Sequence, residues 1–130
     1  MDSLGAPRPI PDIEGEAAER VSARIGITRL IGAVAVIREV APEFGIQAVH
    51  LLLEVARKPG ITVSELIRKT GLSQSSCSRN LALLSAQHRL GKPGLDLVYT
   101  QEDPSERRRK LARLTPKGEE LVSLVVDSVR

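Results

Sequence analysis

The sequence predicts a mainly α fold with one small β-hairpin. Three observations lead there. Apolar residues recur at three- and four-residue spacings along most of the chain, one stretch near residues 95–114 changes to a period of two, and Gly or Pro marks the boundaries between segments. With 130 residues, 42% hydrophobic and 27% charged, the chain is one domain by size and globular by composition.

Residues 1–11 hold three prolines and a glycine and read as a flexible arm, leaving residues 12–130 as a single domain. From Asp12 to Ala41 the pattern is helical, with Val21, Ile25, Thr28, Ile31 and Ala35 on one stripe and Ile27, Leu30, Val34 and Ile37 beside it. Gly26 and Gly32 weaken this helix by about 1 kcal/mol each relative to alanine, which leaves both a continuous helix and one broken near Gly26 open. The apolar sector around residues 27–40 is wider than one helix can bury against itself.

Pro42 and Gly45 mark a turn, and Ile46 to Arg57 forms a second helix with Val49, Leu52, Leu53 and Ala56 inward, stopped by Pro59 and Gly60. Thr62 with Glu65 three residues on makes a capping box, Val63, Leu66 and Ile67 give a buried side, and Gly71 suits a left-handed C-cap. Ser73 caps the next helix. Cys77, Leu81, Leu84 and His88 fall on its apolar stripe, with Ser75, Ser78, Arg79, Ala82 and Ala86 opposite.

After Gly91 and Pro93-Gly94, "LDLVY" places Leu95, Leu97 and Tyr99 on one side of a strand. "KLARL" (residues 110–114) is its expected partner, and "TQEDPSERRR" the loop between them. Thr115 is a good N-cap, Pro116 suits the first helical position, and Glu119 and Glu120 complement the dipole of a last helix carrying Leu121, Leu124, Val125 and Val129.

The net charge of +3 is unevenly spread. Residues 57–117 carry thirteen Lys/Arg against five Asp/Glu, a balance of +8, whereas the segments before and after balance to −3 and −2. A basic middle between acidic ends points to a polyanion partner for the middle. The longest apolar run, "LIGAVAVI", is too short for a membrane span, and the N-terminus lacks a signal-peptide layout. A lone Cys77 fits a reducing cytoplasm. Neither Cys77 nor the two histidines, His50 and His88, stands at metal-ligand spacing, and no nucleophile or acid/base set appears. No enzyme, cofactor, metal or membrane role is expected.

Helix, tight glycine turn, helix and basic-tipped hairpin is the order of a winged helix-turn-helix. Its second helix enters the major groove, which calls for short hydrogen-bonding side chains near the helix start. "SQSSCSRN" supplies them: Ser73, Gln74, Ser75 and Ser78 for close approach and base edges, Arg79 for guanine or phosphate. The wing then offers Arg107, Arg108, Arg109 and Lys110 to the adjacent minor groove or backbone, with Lys69 as a further phosphate contact.

Residues 44–118 resemble the MarR family of dimeric bacterial transcription regulators. The resemblance is carried by "GIQAVHLLLEVARKPGITVSELIRKTGLSQSSCSRNLALL" and by the wing "DPSERRRKLARLTPKG". The family's wing commonly reads Asp-Pro-x-Asp-Arg-Arg, then a strand ending Leu-Thr-x-x-Gly. Asp103, Pro104, Arg107, Arg108, Leu114, Thr115 and Gly118 match it, and Glu106 stands where the second Asp would be. The resemblance implies that Arg108 is the minor-groove arginine, and that Glu106, with Asp103, orients the wing. Residues 85–94 are longer than the family's usual turn into the wing.

Plainer readings compete with these. An arginine run alone is more often a solvated loop, and it is the preceding helix pair and the family register that reverse those odds. Cys77 could sense oxidants, but its place on the Leu81/Leu84 stripe favours a buried core residue. With one Phe, one Tyr and no Trp, an aromatic-lined effector site has little material, so a small-molecule effector is left unknown. The apolar surplus of residues 12–41 and 116–130 reads as dimerisation helices flanking a DNA-binding unit at 44–114. The expected function is therefore a homodimeric transcription regulator, a repressor, on double-stranded DNA. The alternative is a winged-helix assembly module whose basic wing grips an acidic protein.

Overall fold

The computed structural model describes residues 13–42, 44–87 and 91–130. The expected arm at 1–11 and His88 lie outside them. The element order is α1 (Ile13–Val40), α2 (Ile46–Arg57), β1 (Ile61–Thr62), α3 (Val63–Thr70), α4 (Gln74–Leu84), β2 (Val98–Asp103), β3 (Glu106–Leu114) and α5 (Pro116–Val129). The strands form one antiparallel sheet in the order β1-β3-β2. No described helix is long and apolar enough to cross a membrane.

α1 runs unbroken through Gly26, the continuous one of the two readings that the sequence allows there. A methyl added at Gly26 would meet nothing within 4 Å outside the helix's own backbone, so no packed neighbour disturbs the helix there. α1 and α5 lie side by side, with Ala33 and Ile37 of α1 and Leu121 and Val125 of α5 buried. Gly32 sits level with Ser128, whose Cβ would lie 3.5 Å from an added methyl. Most of α1 before Gly32 therefore runs on past the end of α5, roughly 25 Å of helix at 1.5 Å per residue. Along it Val21, Ile25, Ile27, Leu30 and Ile31 are exposed, the last two at 61% and 62%. Leu124 and Val129 of α5 are likewise exposed.

The core under the sheet joins α2, α3, α4 and the strand bases through Leu51, Val55, Ile61, Leu66, Leu84 and Ala112, all fully buried. α2 turns a slightly different face inward than expected: Ala48, Leu51, Leu52 and Val55 are buried, and Leu53 is exposed. β1 is not legible in the sequence. It is two residues long, and its pairing, Ile61 with Ala112 and Thr62 with Leu111, is set by residues far along the chain.

The hairpin also departs from expectation. Leu95, Asp96 and Leu97 precede the strand, and Leu97 and Val98 are both buried while Tyr99 faces solvent. Two features cause this: Asp96 takes a left-handed conformation (φ 56°), and the Leu97 N–H bonds to the distant Leu84 carbonyl at 2.7 Å. The period of two is thus broken at its first residues. Both strands reach further toward the tip than the sequence indicates, and only Pro104 and Ser105 join them.

Candidate nucleic-acid interface

The helix pair is built from three local signals. The Thr62 hydroxyl accepts the Glu65 N–H at 3.0 Å, starting α3. Gly71, at φ 71°, ends α3 with its N–H on the Ile67 carbonyl at 2.9 Å. Two residues later the Ser73 hydroxyl accepts the Ser76 N–H at 3.1 Å and starts α4. The α3–α4 connection is therefore three residues long, and it fixes the crossing of the two helices.

α4 buries Cys77, Leu81 and Leu84. That leaves Gln74, Ser75, Ser78 and Arg79 exposed on the other side, with Ser73 exposed at the cap. Ser73 is partly occupied by capping and lies 3.2 Å from the Ser75 hydroxyl; Arg79 donates to the Ser76 hydroxyl at 3.2 Å. No acidic residue stands in the first turn of α4, so the positive end of its dipole is open to an anion. Asn80, not singled out from sequence, donates to the Gln47 side chain at 3.2 Å and ties α4 to α2. Burial pushes the Cys77 thiol pKa up, consistent with a core residue.

The wing holds an irregularity at the arginine run. The register passes from Glu102–Lys110 directly to Asp103–Glu106, so Arg107, Arg108 and Arg109 bulge out of the β2–β3 ladder. Asp103 builds the turn: one carboxylate oxygen accepts both the Ser105 N–H at 2.9 Å and the Ser105 hydroxyl at 2.7 Å. Those bonds, with Arg109 adding to them and burial opposing, hold the Asp103 carboxyl below the usual range.

The family resemblance implies that Glu106 orients Arg108. In the structure Glu106 holds Arg109, with Nη2 at 2.6 Å from Oε2, and Asp103 lies 3.6 Å from the other terminal nitrogen of Arg109. The bulge is the physical reason, since it abolishes the two-residue alternation that would set Glu106 beside Arg108. Among the described residues, no carboxylate stands within ion-pair distance of Arg107, Arg108, Lys110 or Lys69.

One cleft brings the helices and the wing together. Gln74 and Ser78 of α4 face Arg108, Arg109 and Lys110 of β3 across it, with Val63, Ser64 and Ile67 of α3 along its floor. Among the described residues, no acidic side chain lines it. Ser75, Arg79 and Arg107 are exposed but outside its lining. Ser64 carries no signal in the sequence, where it reads as an ordinary first-turn helix residue. A separate apolar cleft of about 340 Å³ opens between the end of α1, the turn after it and α4; Phe44 is the one aromatic residue in its lining.

The MarR family model matches residues 44–88, a span that takes in α2, α3 and α4. RV1404 from Mycobacterium tuberculosis is structurally similar at a TM-score of 0.66 and 21% identity, over 97% of this chain and 78% of that one. The transcriptional regulator Tm0710 from Thermotoga maritima is similar at 0.67 and 19%, over 87% and 72%. A mutant MarR from E. coli, solved in complex with operator DNA, is similar at 0.58 and 16%, over 88% and 72%. No curated protein sequence matches the chain significantly. The match over α2–α4 and the shared fold make the chain similar, over those helices, to the MarR family of winged helix-turn-helix proteins.

Proposed function

We propose that the chain is a transcription regulator that binds duplex DNA as a homodimer, acting in the cytoplasm as a repressor on a two-fold symmetric operator. The single observation that carries this reading is the acid-free cleft in which Gln74 and Ser78 of α4 face Arg108 and Lys110 of the wing. A polyanion whose edge carries donors and acceptors satisfies both walls at once. α4 enters the major groove with Gln74, Ser75 and Ser78 toward base edges, Ser73 and the helix start toward a phosphate, and Arg79 toward guanine or phosphate. Arg107 and Arg108 lie toward the neighbouring minor groove or backbone, and Lys69 and Lys110 toward phosphates. The E. coli protein solved with operator DNA supports this use of the fold.

The homodimer rests on α1. An apolar helix that overhangs its shorter neighbour α5 needs a second apolar surface, and a second copy supplies one related by a two-fold axis. Two copies then set two α4 helices about one helical turn of DNA apart. Residues 44–114 form the reading unit and the terminal helices the shared interface.

Competition binding tests the reading. A labelled duplex carrying a selected site, titrated with the chain, should resist displacement by heparin or RNA at equal phosphate concentration. Equal displacement by every polyanion would contradict it and favour an assembly module that grips acidic surfaces.

A further inference from the structure

The arginine run at the wing tip is not uniform. Arg109 lies between two carboxylates, Glu106 Oε2 at 2.6 Å and Asp103 Oδ2 at 3.6 Å, and is about half exposed. The other Asp103 oxygen is already bonded to Ser105, and the Asp103 side chain is largely covered. One guanidinium thus bridges both arms of the two-residue turn, across the point where the ladder loses its register. A planar fork presents donors from two separate nitrogens in a fixed geometry that matches two carboxylates, a geometry that the single nitrogen of a lysine ammonium does not reproduce.

We propose that Arg109 is a positioning residue. It locks the bulged wing tip so that Arg107 and Arg108 are presented to nucleic acid, and it is not itself a phosphate contact. The inference rests on the DNA-binding reading above. The charge of Arg109 is offset by two carboxylates, so it attracts phosphate less than Arg107 and Arg108, which are exposed in the same bulge with no described carboxylate in ion-pair range. Ordering the bulge before binding removes part of the cost of immobilising long side chains on the ligand.

The lock and a direct contact predict opposite signs for one substitution. Glu106→Gln removes a negative charge from the wing. If Arg109 touches phosphate, that change frees it and tightens binding. If Arg109 is a lock, binding to a selected duplex weakens by about three- to tenfold. Arg109→Lys is the second arm. The lock predicts a loss equal to that of Arg109→Ala, whereas a phosphate contact predicts near-native affinity.

The experiment is fluorescence anisotropy of the full chain on a selected duplex at fixed salt, with wild type, Glu106→Gln, Arg109→Lys and Arg109→Ala. Guanidinium NMR of the chain without DNA accompanies it. One wing arginine should show resolved, slowly rotating Nη signals that vanish in Glu106→Gln. Tighter binding by Glu106→Gln, native affinity of Arg109→Lys, or an Arg109 signal unaffected by Glu106→Gln would each overturn the lock. Failure of the wild-type chain to bind any duplex is a different outcome: it overturns the DNA-binding reading and the lock with it.

Discussion

The Thr115 hydroxyl accepts the Gly118 N–H at 3.0 Å and donates to the Asp96 carbonyl at 2.7 Å. Thr115 thereby starts α5 and fastens the foot of the wing in the same step, while its own N–H bonds to the Leu97 carbonyl at 3.0 Å. Gly118 is held so close to that strand that an added Cβ would lie 2.0 Å from the Leu97 oxygen. The Leu-Thr-x-x-Gly ending of the wing is thus a joint between sheet and helix. Gly118→Ala should cost about 3 kcal/mol through backbone displacement, and Thr115→Val about 1 kcal/mol through loss of the cap. Calorimetric unfolding checks both, and an unchanged melting temperature for Gly118→Ala would show that the joint is not rigid.

Ile31 is 62% exposed and lies on the overhanging part of α1. Ile31→Glu should leave the protomer fold intact, because the side chain has little to lose inside it. Sedimentation should show the variant shifted from dimer to monomer at micromolar concentration, with duplex binding reduced in parallel. A variant that remains dimeric would place the interface elsewhere.

Arg108 stands in the bulge without an ion-pair partner among the described residues and lines the cleft opposite Gln74. Arg108→Ala should weaken duplex binding about tenfold or more. The slope of log K against log[salt] should become shallower by about 0.9 for each phosphate that is no longer neutralised. An unchanged slope would remove Arg108 from the residues that neutralise the DNA backbone.

Gln74 lies at the start of α4 in the cleft lining, where the proposed binding mode sets its amide against a base edge. Gln74→Ala should lower the preference for the selected site by about 1–3 kcal/mol at one base position while leaving non-specific affinity nearly unchanged. Parallel titrations with a selected and a scrambled duplex separate the two effects. An equal loss on both duplexes would assign Gln74 to the backbone.

Glu54 is nearly buried and lies between His50, at 3.2 Å, and Arg57. Burial raises its pKa, but the Arg57 and His50 interactions outweigh that, and the net shift is downward. A depressed carboxyl stabilises the fold fully above its ordinary value of about 4.3, and that contribution is lost as pH falls through the lowered value. Glu54→Gln should therefore reduce stability at neutral pH and flatten the acid limb of a stability–pH profile. A parallel profile for the variant would mean that Glu54 does not carry the linkage.

What can be read from the sequence is local. Thr62, Ser73, Thr115 and Gly71 mark helix ends with bonds to residues only three or four positions away, so a linear reading finds them. The exposed face of α4 follows from Cys77, Leu81 and Leu84 by helical period alone. What escapes depends on distant partners. β1 exists because Ile61 finds Ala112, and the strand period fails at Asp96–Val98 because Leu97 bonds to both Leu84 and Thr115. The wing bulge is a property of register between two strands, so sequence spacing matches Glu106 to Arg108 while the folded tip gives it Arg109.

In the proposed mode of binding, two α4 helices related by a two-fold axis read base edges of duplex DNA. Selection of bound sequences from a random duplex pool tests it most directly. The prediction is an inverted repeat whose half-sites are centred about one helical turn apart. Recovery of an unenriched pool, or of a motif without two-fold symmetry, would contradict it.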